Sequence, residues 1–239
     1  MEQTKNTVKT ETTKRNLYKV GAAAAFLVAF VFRRNWSAEA DILLSIDIPV
    51  SATEWFNLIQ ENRILGIIML NFFDMVNIAL VGVVFFTLFY ALKDSNKIFM
   101  KFANAISFVG IAVCFASNQA FAMLSLSDRY FAASEADKSL FLSAGEALLA
   151  INDQGSGSYI SLFLIGLSGL IISIIMLQSG VFSRTTAYFG ILANGVGLSY
   201  FITIIILPTI GWIPIPLSAI PLLIWYILIG VRLYQLSKE

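Results

Sequence analysis

Apolar and polar positions run in long blocks along this chain, not in the short alternations of a soluble fold. Residues 1–16 (MEQTKNTVKTETTKRN) are polar, rich in Thr and Lys, and without apolar periodicity, so they read as a disordered cytoplasmic tail. Apolar runs then occupy Leu17–Phe32, Ile64–Leu92, Phe102–Leu126, Ser158–Leu177, Ala187–Leu207 and Leu217–Tyr234. A hydrocarbon core ~30 Å thick is crossed by about 20 apolar residues in a helix, the form that satisfies its own backbone in lipid. The expected fold is all-α: a polytopic membrane helix bundle of about six transmembrane helices with short amphipathic interfacial helices. A single transmembrane domain covers 17–239.

The polar blocks carry their own signals. Ser51-Ala-Thr-Glu54 has the spacing of a capping box. Ala52, Trp55, Phe56 and Ile59 come next at i, i+3, i+4 and i+7, one apolar helical face that suits either the membrane interface or the outer end of the bundle. In 127–156, Leu140, Phe141, Ala144, Ala147, Leu148 and Ile151 share a helical face, with Glu146 pointing away. Gly155-Ser-Gly157 breaks that helix. Lys93–Lys97 and Gln178–Arg184 are short turns. Pro208, Pro214 and Pro216 make 208–216 an irregular connection, and Pro221 falls inside the last run. The first run resembles a signal peptide, with Ala38-Glu39-Ala40 as a small-x-small site. Arg33 and Arg34 directly after it favour a retained helix.

Composition agrees with a bilayer as solvent. Of the residues 58% are hydrophobic and only 13% charged, with a mean hydropathy of +0.79. The net charge of +1 hides an asymmetry. With both termini in the cytoplasm, eleven Lys and Arg fall on that side and five on the other, as the positive-inside rule requires. The expected location is therefore the cell membrane, with the bilayer as partner. No basic patch interleaved with aromatics suggests a nucleic-acid partner. One cysteine, Cys114, excludes an intrachain disulfide, and the absence of histidine excludes Ser-His and Cys-His catalysis and His-ligated zinc or haem. No catalytic, cofactor-binding or metal-binding set is assigned.

Asp74 is the acid well inside an apolar run. Asn71 and Asn77 lie three residues either side of it, a spacing that lines one side of a helix. An ionisable group is costly in lipid, so Asp74 is expected to face the bundle interior or a hydrated cavity. The sharpest binding site the sequence offers is a pocket of Asn71, Asp74, Asn77, Asn118 and Asn194, open to a small-molecule or lipid ligand. The plainer alternative is helix packing. Asn104, Ser107, Cys114, Asn118 and Ser125 form one small polar stripe, Ala187, Gly190, Asn194 and Gly197 a second, and Gly169 with Ser173 a third. Gly195-Val-Gly197 sits in an apolar helix and reads as packing, not phosphate binding. Glu146 and Asp153 could be paired as acid and base, but Glu146 suits a solvated surface better.

Several segments carry a family resemblance: LLAINDQG at 148–155, LFLIGLSGLIISIIMLQSGVFSR at 162–184, AYFGILANGVGL at 187–198 and PLLIWYILIGVRLYQL at 221–236. SIDIPVSATEWFNLIQENR at 45–63 fits more loosely. The chain resembles the bacterial membrane family described as domain of unknown function 4386. It departs from that pattern at Asn152, where His is frequent, and at Ser183, where Pro is frequent. The resemblance implies a polytopic bacterial inner-membrane protein and no particular activity. Three functions stay open: binding or moving a small or amphipathic molecule in the bundle, carboxylate chemistry on lipid, and a structural or regulatory role through a partner. The polar run faces and the Pro-broken last helix favour the first.

Overall fold

The computed structural model describes residues 2–36 and 49–239; the Ala38–Ala40 site lies outside them. The described residues are helical, with no strand among them. The first helix, α1 (Glu2–Trp36), runs straight through the segment expected as an irregular tail. Once the apolar run nucleates a helix, each further residue adds a hydrogen bond, so a polar extension can propagate from it. Among the described residues five helical stretches are long and apolar enough to cross a membrane: Asp74–Leu92, Lys97–Ala132, Lys138–Ser179, Arg184–Ile206 and Pro214–Leu236. The chain is thus a membrane protein; among the described residues Leu17–Phe32 is not one of these long apolar spans, so five stand where about six were expected. Lys19 and Arg33 leave 13 uncharged residues between them, a rise of only ~20 Å.

The remaining helices are α2 (Ala52–Glu61), α3 (Arg63–Ile67), a π-turn over Ile68–Phe72, α4 (Phe73–Leu92), α5 (Lys97–Ser117), α6 (Ala120–Ala132), α7 (Lys138–Gln154), α8 (Ser156–Ser179), α9 (Arg184–Ile206) and α10 (Pro214–Leu236). The expected irregular stretch at 208–216 is shorter than foreseen, because Pro214 starts α10 and Pro216 falls in the same first turn, where backbone amides have no intrahelical partner to lose. The third apolar run is broken at Asn118–Gln119, which turns α6 relative to α5, and Ser125 is exposed instead of continuing the polar stripe.

Two separate apolar cores result. The larger joins α1, α4, α8, α9 and α10 around Phe85, Leu88, Met176, Trp225 and Ile229. Here α5 packs on α8, where Ser168 Oγ donates to the Ala103 carbonyl at 2.7 Å and Gly110 abuts Ser161 and Leu164. The small polar stripe on α5 therefore serves close helix approach in its first half. Arg15 Nε donates to the Ser237 carbonyl at 3.1 Å, which puts that turn of α1 and the end of α10 at one end of the bundle. Arg232 Nε donates to the Val181 carbonyl at 2.7 Å, adding the α8–α9 turn to the same end.

The smaller core, built on Trp55, Phe56, Ile59, Leu70, Ala120 and Met123, lies at the opposite end. The 21 residues of α5 already rise ~31 Å, so α6 and α7 extend past one face of the hydrocarbon. The face of α2 is buried as its spacing requires, and it packs on α6 and α7, so the bundle-end alternative holds. Ser51 Oγ accepts from Glu54 N–H, but Glu54 Oε2 reaches Val50 N–H instead of Ser51, so the capping box is only half formed. On α7 the buried face differs from the expected one. Gly145 presses on Phe56 and Ala52, with Leu142, Leu148 and Leu149 alongside. Leu140 (68% exposed) and Ile151 (49%) are left outside. Glu146 Oε1 accepts from Ala52 N–H at 2.7 Å, capping α2 from 94 residues away, where a purely solvated role was expected.

Candidate cavity between three helices

Small residues decide where α8, α9 and α10 touch and where they do not. Gly190 on α9 meets Ser173 and Trp225, and Gly169 on α8 meets Asn194, with no room for a Cβ at either. Further along α9 the same kind of residue has the opposite effect. Gly195 has nothing within 4 Å of an added Cβ, and Gly197 finds only Ser218, at 3.7 Å. Gly197, with Gly166, Ala193 and Ala219, leaves a cavity of about 340 Å³. Leu162, Phe201, Ile215 and Leu222 supply apolar walls. The glycines read as packing residues are therefore in part cavity residues.

Three polar side chains line this apolar space: Asn194 and Ser218, each 8% exposed, and Tyr226, 4% exposed. Asn194 Nδ2 donates to the Gly190 carbonyl at 2.8 Å, and Ser218 Oγ to the Ile215 carbonyl at 2.8 Å. The Tyr226 hydroxyl has no hydrogen-bond partner among the described residues. Behind them, Trp225 is fully buried and its Nε1 also lacks a partner. Pro221 sits inside α10 at this level and withholds the amide that would bond the Leu217 carbonyl. Asn194 lies ten residues from the start of α9 and Tyr226 ten from the end of α10, each ~15 Å along its helix and so near the midplane. The cavity runs from there toward the turn at 208–213. Thr203 Oγ1 fastens that turn by donating to the Gly211 carbonyl at 3.0 Å, and Gly211 lies against the Ile204 backbone where no Cβ fits.

Of the five residues proposed from sequence, Asn194 alone lines the cavity. Asp74, in the first turn of α4, is exposed on the isolated bundle instead of enclosed. Asn77 is half-buried, with an Oδ1 that lacks a partner. Asn71 belongs to the π-turn, whose i→i+5 bonding interrupts the α-helical spacing that would align it with Asp74. Asn118 Oδ1 accepts from Ala120 N–H at 3.0 Å, so it holds the α5–α6 junction. Cys114, on α5, lies within the electrostatic field of Asp74 and beside Ser161. Arg63 instead pairs with Asp128, tying α3 to α6. Among the described residues no group of His, Cys, Asp or Glu could hold a metal ion.

The family model for a domain of unknown function (DUF4386) matches residues 17–234, nearly the whole chain. The chain belongs to this family. No curated protein and no solved structure matches it. In this DUF4386 member Ser183 is the N-cap of α9, its Oγ accepting from Thr186 N–H at 3.1 Å, a bond that a proline side chain could not make. Ser218 and Tyr226 are not among the site residues expected from the sequence, where Gly197 reads as packing. The signal was present as Asn194–Gly197–Phe201 and Ser218–Leu222–Tyr226, two helix faces at three- and four-residue steps, but only packing reveals that they meet.

Proposed function

We propose that this DUF4386 member binds a small lipid-soluble or amphipathic molecule in the cavity between α8, α9 and α10. The observation that carries this reading is a membrane-level apolar cavity containing three buried polar side chains. Helix packing alone would close such a space, since an unfilled void forfeits dispersion contacts. Gly197→Phe tests it, because the wild-type position has room for a Cβ and the ring would occupy the cavity. Native mass spectrometry of the protein purified with its co-extracted lipids should show a bound species lost in Gly197→Phe. The same species in both proteins would sink the reading.

We also propose that the end carrying Arg15, Val181, Arg232 and Ser237 faces the cytoplasm of the cell membrane, with both termini on that side; α1, packed along the bundle with Gly21 at Thr87 and Phe26 at Gly230, then makes the sixth crossing beside the five long spans. The gathering of basic residues there supports it. Reporters fused after Glu239 and within 133–137 should report opposite compartments; one compartment for both would refute the orientation.

A second reading places a polar-ligand or proton site at Asp74. It is favoured by the neighbouring π-turn, a form frequent at functional sites, and by the buried, unpartnered Asn77 Oδ1 one turn away. Asp74→Asn keeps shape and removes charge. It should preserve insertion and yield while abolishing any pH dependence of ligand binding. An unchanged pH profile would leave Asp74 a purely structural role.

A further inference from the structure

We infer that the cavity takes an uncharged lipophile bearing a carbonyl or hydroxyl oxygen, which hydrogen-bonds the Tyr226 hydroxyl near the membrane midplane; this rests on the cavity being a binding site. No Lys, Arg, Asp or Glu is among the lining residues. A carboxylate or ammonium brought to that depth would lie unpaired in a low-dielectric site, so charge selects against binding.

An entirely apolar guest would leave the polar groups as they are, and their remaining hydrogen-bonding capacity is specific. Ser218 already donates and can only accept. Asn194 has spent one of its two amide protons on the Gly190 carbonyl. The Tyr226 hydroxyl has no partner among the described residues and can both donate and accept. A hydroxyl without a partner in an apolar cavity at membrane depth is costly, and a guest oxygen that accepts from it removes that cost.

The levels along the helices place these groups in order. Gly197 lies against Ser218, and Gly190 against Trp225, so α9 and α10 run antiparallel in register. Asn194 is then ~4.5 Å deeper than Ser218, and the Tyr226 backbone ~12 Å deeper. Helical side chains lean toward the N-terminus, which on α10 is the cavity's outer end, so the Tyr226 ring leans up toward the level of Asn194. The guest therefore enters oxygen first, with its apolar body among Leu162, Phe201 and Ile215.

The experiment uses the full chain in nanodiscs and three diazirine probes with the same ten-carbon body: an alcohol, a carboxylic acid and a trimethylammonium. The alcohol should label peptides spanning 193–201 and 215–226 saturably, and unlabelled decanol should compete at least tenfold better than decanoate or decyltrimethylammonium. Tyr226→Phe, which keeps the ring, should weaken the alcohol roughly tenfold, the order expected for one buried hydrogen bond. Gly197→Phe should abolish saturable labelling by every probe. If Gly197→Phe leaves saturable labelling intact, the cavity reading itself fails. If Gly197→Phe abolishes labelling but the acid or ammonium competes equally, or Tyr226→Phe binds like wild type, the cavity stands and the neutral-oxygen inference is overturned. Labelling that never saturates means annular lipid only and overturns both.

Discussion

Gly190→Ala destabilises the bundle by about 2 kcal/mol, whereas Gly195→Ala on the same helix leaves it as stable as wild type or more so. The two substitutions bring the same propensity gain, up to ~1 kcal/mol for replacing a mid-helix glycine. What differs is the neighbour. A Cβ at Gly190 would collide with Ser173 Oγ and Trp225 Nε1, whereas one at Gly195 meets nothing within 4 Å. Ser173 can rotate only by giving up its 2.7 Å bond to the Gly169 carbonyl, and Trp225 is wedged against Phe85 with ring centroids 6.2 Å apart. Overpacking of this kind costs ~1–3 kcal/mol and more when the obstructing side chain is rigid. Thermal unfolding of the two variants in one detergent separates them. Equal stabilities would mean that α9 and α10 are not packed as described.

That pair also marks the limit of what the sequence makes legible. Hydropathy blocks identify the helices because lipid demands long apolar runs, and the α2 face is readable because four apolar residues at helical spacing have one way to be buried. Glycine carries no such label. Gly190 and Gly197 belong to one stripe on α9, yet the first is a contact and the second a gap, and the distinction comes from α10. Asp74 shows the same limit in reverse. Its charge draws attention in a string of letters, but where it lies depends on a π-turn that no periodicity announces. Glu146 depends on a partner 94 residues away. The buried face of α7 was misjudged because Leu140 and Ile151 fit an apolar face by spacing, while the close approach of Gly145 to Phe56 sets the actual one.

Phe56→Ala releases the layer formed by α2, α6 and α7 while the membrane bundle stays folded. Phe56 is fully buried, packs on Tyr130 with centroids 5.4 Å apart, and touches Gly145; its carbonyl accepts from Ser127 Oγ at 3.1 Å. Because this layer lies beyond the hydrocarbon, its core is held by transfer of apolar surface out of water, and a buried Phe→Ala change there costs ~3–5 kcal/mol. The larger core has a different solvent. Lipid is as apolar as the side chains it would replace, so Ile172→Ala, though Ile172 is equally buried, loses packing contacts and little transfer free energy. The two cores share few elements, and the chain crosses between them at a π-turn, at Asn118–Gln119 and at Gly155, three interruptions of the helical backbone. Hydrogen exchange should therefore show amides in 52–61 and 120–132 losing most of their protection in Phe56→Ala, with 97–117 and 184–206 unchanged. Ile172→Ala should lower protection modestly in the bundle and leave 52–61 as it was. Loss of protection across all helices in Phe56→Ala would mean that the layer and the bundle unfold as one unit.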